Sequence, residues 1–65
     1  MPHVEITWLQ GRTPEQKRKI AERITVALEE EGGVKRENVH ICFVDLPATD
    51  YVVAGVPMAE RKRTP

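Results

Sequence analysis

Residues 3–9 alternate in polarity. Val4, Ile6 and Trp8 fall on one face of an extended segment, and His3, Glu5, Thr7 and Leu9 on the other. That period of two, with β-branched residues on the inner face, predicts a strand over 3–9. Gly11-Arg12 turns the chain. Thr13-Pro14-Glu15-Gln16 then reads as a helix start, with Thr13 as N-cap, Pro14 at the first helical position and Gln16 completing a capping box. Ile20, Ile24, Ala27 and Leu28 recur on one stripe, with Lys17, Lys19, Glu22, Arg23, Glu29 and Glu30 mostly around it. The stripe predicts an amphipathic helix over 14–31 that Gly32-Gly33 stops. A second strand is expected over 39–46, with Val39, Ile41 and Phe43 on one face and His40, Cys42 and Val44 on the other. After Pro47, the β-prone run around Gly55 predicts an edge hairpin, in a C-terminal hairpin or coil over 51–65 whose last residues, 60–65, are loosely held.

Two strands joined by a long helical crossover should pair in parallel through a right-handed connection. The expected class is α+β, a single domain over 1–65 built as one β-α-β unit with a short hairpin. One helix covers one face of a two-stranded sheet, yet both faces of both strands carry apolar residues. Parallel sheets are normally buried on both sides, so the open face is expected to meet another copy of the chain.

With 65 residues, the chain has a thin core, and oligomerisation is the expected source of further burial. Ten basic and ten acidic residues balance, which gives no electrostatic case for nucleic acid or an anionic membrane as partner. The one cationic cluster, Arg61-Lys62-Arg63, is too short to change that. No apolar run approaches the ~20 residues of a membrane span, and the start lacks the pattern of a secretory signal. The lone Cys42 rules out an internal disulfide and fits a reducing compartment, so a soluble cytoplasmic protein is expected.

The candidate chemistry is sparse. There is no Cys/His cluster at metal-ligand spacing, no phosphate-binding glycine loop and no nucleophilic triad. What remains is Pro2, Arg12, His3, His40, Glu5, Asp45, Asp50 and Tyr51. Met-Pro by itself is an ordinary start. Methionine is usually trimmed before a small residue, however, and Pro2 would then begin the chain as a secondary amine. Held at a strand end, desolvated or near a cation, that amine has its pKa pushed toward neutrality, as a general base requires. Arg12 is the cation expected to help, and its guanidinium at a strand end is suited to grip a carboxylate bidentately. His40 reads either as a partly buried neutral histidine hydrogen-bonded at a subunit contact or as a substrate-binding group. Tyr51 alone reads as packing, and Cys42 as a small buried hydrophobe.

Pro2, the run Leu9-Gln10-Gly11-Arg12-Thr13-Pro14-Glu15-Gln16-Lys17 and the late segment Tyr51-Val52-Val53-Ala54-Gly55-Val56 together resemble the 4-oxalocrotonate tautomerase family, over nearly the whole chain. The resemblance implies the tautomerase/MIF-like fold, with protomers paired into dimers and dimers into a hexamer, here a homohexamer. It implies cofactor-free chemistry, in which the Pro2 amine removes a proton from a 2-hydroxydienoate and returns it at a distant carbon, giving the conjugated 2-oxo acid. Arg12 matches the arginine that binds a substrate carboxylate and draws electron density along the dienol. Tyr51 aligns with the pocket aromatic that shields the amine, and Leu9 with an apolar pocket residue. A second family arginine, directed into a neighbouring active site, falls at His40, which cannot fork onto a carboxylate but can donate one hydrogen bond to the 2-oxygen.

A tautomerase, an isomerase acting on small unsaturated 2-hydroxy or 2-oxo acids, is therefore the leading expectation. Relatives that activate water use a carboxylate near the pocket aromatic, where this chain has Val52 and Val53. A promiscuous hydratase, decarboxylase or carbon–carbon bond-forming relative using the same amine stands second. A non-catalytic subunit with the same fold, favoured by the His40 departure, stands third.

Overall fold

The alternation over 3–9 produces strand β1, His3–Leu9, in the computed structural model, which describes residues 2–61. Helix α1, Pro14–Gly32, follows, and its start is built as a reciprocal cap. The Thr13 N–H donates to Gln16 Oε1 at 2.8 Å, and the Gln16 N–H donates to Thr13 Oγ1 at 3.1 Å. Gly33 closes the helix, its N–H reaching the Glu29 carbonyl at 3.2 Å. The helix thus runs one residue past the expected end at 31, because Gly33 and not Gly32 takes the left-handed cap.

A 3-10 turn, Arg36–Asn38, leads into strand β2, His40–Leu46. Arg36 pins this turn to the helix through Glu22 at 2.6 Å and Glu29 at 3.7 Å. Val39, expected as the first strand residue, instead closes the turn by donating its N–H to the Arg36 carbonyl at 3.1 Å. His40, expected as the second strand residue, therefore opens β2.

β1 and β2 pair in parallel from His3↔His40 to Leu9↔Leu46. Opposed residues share a face, so Val4, Ile6 and Trp8 line up with Ile41, Phe43 and Asp45. All but Asp45 on this face are half-buried, and α1 lies over it, as the Lys17–Asp45 ion pair requires. On the opposite face His3, Glu5, Thr7, His40 and Cys42 are exposed. On the helix, Lys17, Ile20, Ala21, Ile24, Thr25 and Leu28 form the half-buried stripe. Ala27, expected in that stripe, is exposed, because at seven residues past Ile20 and three past Ile24 it sits on the edge that Ala21 and Thr25 displace outward.

The C-terminal hairpin forms from β3, Val52–Val53, and β4, Val56–Pro57, paired antiparallel as a sheet of their own. Within one chain it does not add to the edge of the β1–β2 sheet. Its turn places both Ala54 (φ 54°) and Gly55 (φ 81°) in the left-handed region, the geometry that matches the twist of a two-residue hairpin. A last 3-10 turn, Met58–Glu60, ends the described chain. Met1 and residues 62–65 lie outside the described residues, and with them most of the Arg61-Lys62-Arg63 cluster and of the 60–65 tail.

No described residue is fully buried. The radius of gyration is 15.1 Å, where a compact chain of this length needs about 11 Å. The surface of 5237 Å² exceeds the roughly 4,200 Å² of a compact monomer of this mass. No helix among the described residues is long and apolar enough to cross a membrane.

Candidate active site

Gly11 makes the turn after β1 at φ 138°, a conformation that side chains resist, and so delivers Arg12 at the strand's C-terminal end. Arg12 is anchored twice. Its Nη1 donates to the Leu9 carbonyl at 3.1 Å, and its Cζ lies 4.4 Å from the centre of the Trp8 ring. A cation over an indole face at this distance is held by the ring quadrupole. Trp8 is itself fixed, because its Nε1–H donates to Asp45 Oδ1 at 2.6 Å and its ring stacks on Phe43 at 5.3 Å and 21°. The other Asp45 oxygen pairs with Lys17 Nζ. The Lys17 hydrogen bond, followed by the Trp8 N–H, holds the Asp45 carboxyl below the usual carboxylate range. Arg12 makes no ion pair with a carboxylate among the described residues.

Two open grooves meet at Arg12. One, of about 330 Å³, runs along the helix past Gln16, Lys19, Ile20 and Arg23. The other, of about 390 Å³, is formed with Leu9, Gln10, Gly11 and Gln16. Leu9, half-buried on the face away from the helix, thus shares a groove with Arg12.

The other candidates lie elsewhere. Pro2 is half-buried at the head of β1, its carbonyl accepting from the His40 N–H at 3.1 Å. His40 is exposed beside it. Tyr51 is half-buried just before the hairpin, its carbonyl accepting from the Met58 N–H at 2.8 Å. Pro2, His40 and Tyr51 line neither groove at Arg12. Within one chain Pro2 and Arg12 therefore lie at opposite ends of β1. Seven strand residues separate them, at about 3.3 Å each, so they stand more than about 20 Å apart. Cys42 is exposed in the single chain, on the face away from α1 that is expected to meet another copy.

Sequence reasoning named Asp45 as a candidate without a role and passed over Trp8 and Lys17. The signal was present. Asp45 interrupts the apolar series Ile41, Phe43 on the covered face, and Lys17 stands at helical spacing in the apolar stripe. Opposite charges intruding on two facing apolar patterns mark an ion pair between helix and sheet at the edge of the covered face. Among the described residues no His, Cys, Asp and Glu cluster has the geometry to hold a metal ion.

A family model for tautomerase enzymes matches residues 2–61. A 2-hydroxymuconate tautomerase of Comamonas testosteroni is 38% identical over 63 residues, covering 97% of this chain and all of that protein. The solved structure of YwhB, a homologue of 4-oxalocrotonate tautomerase, superposes with a TM-score of 0.87 at 33% identity, over 94% of this chain and all of that one. A heterohexamer 4-oxalocrotonate tautomerase from Chloroflexus aurantiacus superposes with a TM-score of 0.86 at 32% identity, over 95% of this chain and all of that one. An arginine delivered by a glycine turn between a strand and a capped helix, in a parallel β-α-β unit aligned from end to end with these enzymes, places the chain in the tautomerase family as a 4-oxalocrotonate tautomerase-like isomerase.

Proposed function

We propose that the chain interconverts 2-hydroxydienoates and conjugated 2-oxo acids, with the Pro2 amine as general base, in a site assembled from more than one protomer. The observation that carries this is the Arg12 guanidinium, held by Leu9 and Trp8 yet unpaired with any carboxylate among the described residues. It is a preformed grip for an anionic substrate. Once Met1 is removed, the Pro2 nitrogen has a lone pair to accept the 2-hydroxyl proton. The electrons of that O–H bond form the 2-oxo group, the dienol double bonds shift along the chain, and the distal carbon takes the proton back from Pro2. Arg12 binds a carboxylate and stabilises charge gathering on the oxygens, Leu9 and Tyr51 supply apolar walls, and His40 donates one hydrogen bond to the 2-oxygen.

Because Pro2 and Arg12 occupy opposite ends of β1, one protomer supplies the base and another the arginine. That requirement, with no fully buried residue in the single chain, supports a homohexamer like the hexameric assembly of the Chloroflexus aurantiacus relative. The substrate is a small unsaturated acid. With His40 in place of a second arginine, a monocarboxylic dienoate is bound as well as a dicarboxylic one.

The test is a pH–rate profile on 2-hydroxymuconate, with intact mass establishing whether Met1 is present. With Met1 removed, the ascending limb should lie below the ~8 of an ordinary α-amino group. Protein retaining Met1 should be nearly inactive, since its Pro2 nitrogen is an amide. Full activity with Met1 in place overturns the mechanism.

A further inference from the structure

An arginine in an exposed turn ordinarily samples many rotamers, and a neighbouring carboxylate ordinarily captures it. Arg12 is seated against two neighbours, and no carboxylate among the described residues pairs with it. Its guanidinium lies against the Trp8 ring, and one of its five N–H donors is used on the Leu9 carbonyl, leaving four for a ligand. Asp45, whose charge reaches Arg12, has both oxygens engaged elsewhere, one by the Trp8 Nε1–H and one by Lys17. Asp45 therefore serves to fix the indole and is kept from competing for Arg12. Phe43, stacked on Trp8, closes the arrangement within the covered face of the sheet.

We propose that Trp8, clamped by Asp45 and Lys17, is the positioning residue for Arg12, presetting the guanidinium fork and thereby setting carboxylate affinity without touching substrate. This rests on the reading of Arg12 as the carboxylate grip. An aliphatic residue at position 8 would pack against Phe43 but would offer no π-face to the cation. The Asp45 oxygen freed from Trp8 would then be available to Arg12.

The experiment measures KM and kcat on a 2-hydroxydienoate for Trp8→Leu, Trp8→Phe, Arg12→Ala and the Trp8→Leu/Arg12→Ala double variant. Trp8→Leu should raise KM about two- to fivefold, the value of an exposed cation–π contact, with kcat little changed. Trp8→Phe, which keeps an aromatic face, should recover part of the loss. In the Arg12→Ala background Trp8→Leu should add nothing, because its effect acts through Arg12. A Trp8→Leu effect that persists undiminished without Arg12, or an unchanged KM in Trp8→Leu, overturns the proposal. An unchanged KM in Arg12→Ala overturns instead the reading of Arg12 beneath it.

Trp8 is the sole tryptophan, so a second readout does not depend on how the Trp8 variants fold. Muconate, a conjugated dicarboxylate lacking the hydroxyl, should change the tryptophan emission saturably in the wild-type protein and leave it unchanged in Arg12→Ala. Muconate that inhibits the wild-type enzyme without altering its emission overturns the proposal.

Discussion

Arg12 keeps four of its N–H donors free, whereas His40, exposed at the first position of β2, offers a single donor when neutral. The two positions should therefore respond differently to truncation. Arg12→Ala should weaken binding of any dienoate, and His40→Ala should cost less, since one hydrogen bond and not a fork is lost. His40→Arg should shift preference toward a dicarboxylate by at most the ~1.5–3 kcal/mol of charged hydrogen bonds. Kinetics on mono- and dicarboxylic substrates decide this. Equal losses at Arg12 and His40 would make the histidine a full catalytic partner, and no loss at His40 would make it packing. Ala54 offers a stability test at the same scale. It sits at φ 54°, where a Cβ is disfavoured, and Asn tolerates that region better than Ala does. Ala54→Asn should raise the thermal midpoint by up to the equivalent of ~1 kcal/mol. A lowered midpoint would mean that the Ala54 side chain packs against something in the assembly.

The elements are tied to one another by few contacts, and the Asp45–Lys17 pair is the principal polar link between β2 and α1. With its native pKa held below the ordinary carboxylate value of 3.8, Asp45 adds stability that is present above that value. The contribution disappears as the pH falls through the lower native pKa. Asp45→Asn should therefore have a lower thermal midpoint than wild type near pH 7, and the gap should close as both are taken below about pH 4. A gap of constant size across that range would show that the carboxylate charge is not what links the elements. The capping box at Thr13 and Gln16 and the Gly33 cap need no such link, as each satisfies helix-end donors and acceptors from adjacent residues.

For the whole molecule, the deciding quantity is unburied surface. Val52, Val53 and Val56 are 53%, 39% and 39% exposed on a hairpin that pairs with nothing else in its own chain. The face of the β1–β2 sheet opposite α1 is open as well. Sedimentation at micromolar concentration should give a species near six times the 7.4 kDa chain. Val53→Asp, which puts a charge on the exposed hairpin, should shift it toward smaller species with parallel loss of activity, because the proposed site draws Pro2 and Arg12, at opposite ends of β1, from different protomers. An active, stable monomer would contradict both the assembly and the shared site.

The strands, the helix and its caps, and the hairpin were legible in the sequence because each depends on neighbours within a few residues. Alternation sets a strand face, the spacing of Ile20, Ile24 and Leu28 sets a helix stripe, and Thr13-Pro14-Glu15-Gln16 caps without help from afar. The candidates Pro2, Leu9, Arg12, His40 and Tyr51 were legible as residue types in a family pattern, but their relative placement was not. What only the tertiary structure decided is non-local. The parallel register sets Trp8 opposite Asp45, 37 positions away, and the seating of α1 brings Lys17 to the same carboxylate across 28. That network turns an exposed arginine into a fixed one, and it arises from the registry of distant elements, which no local pattern encodes.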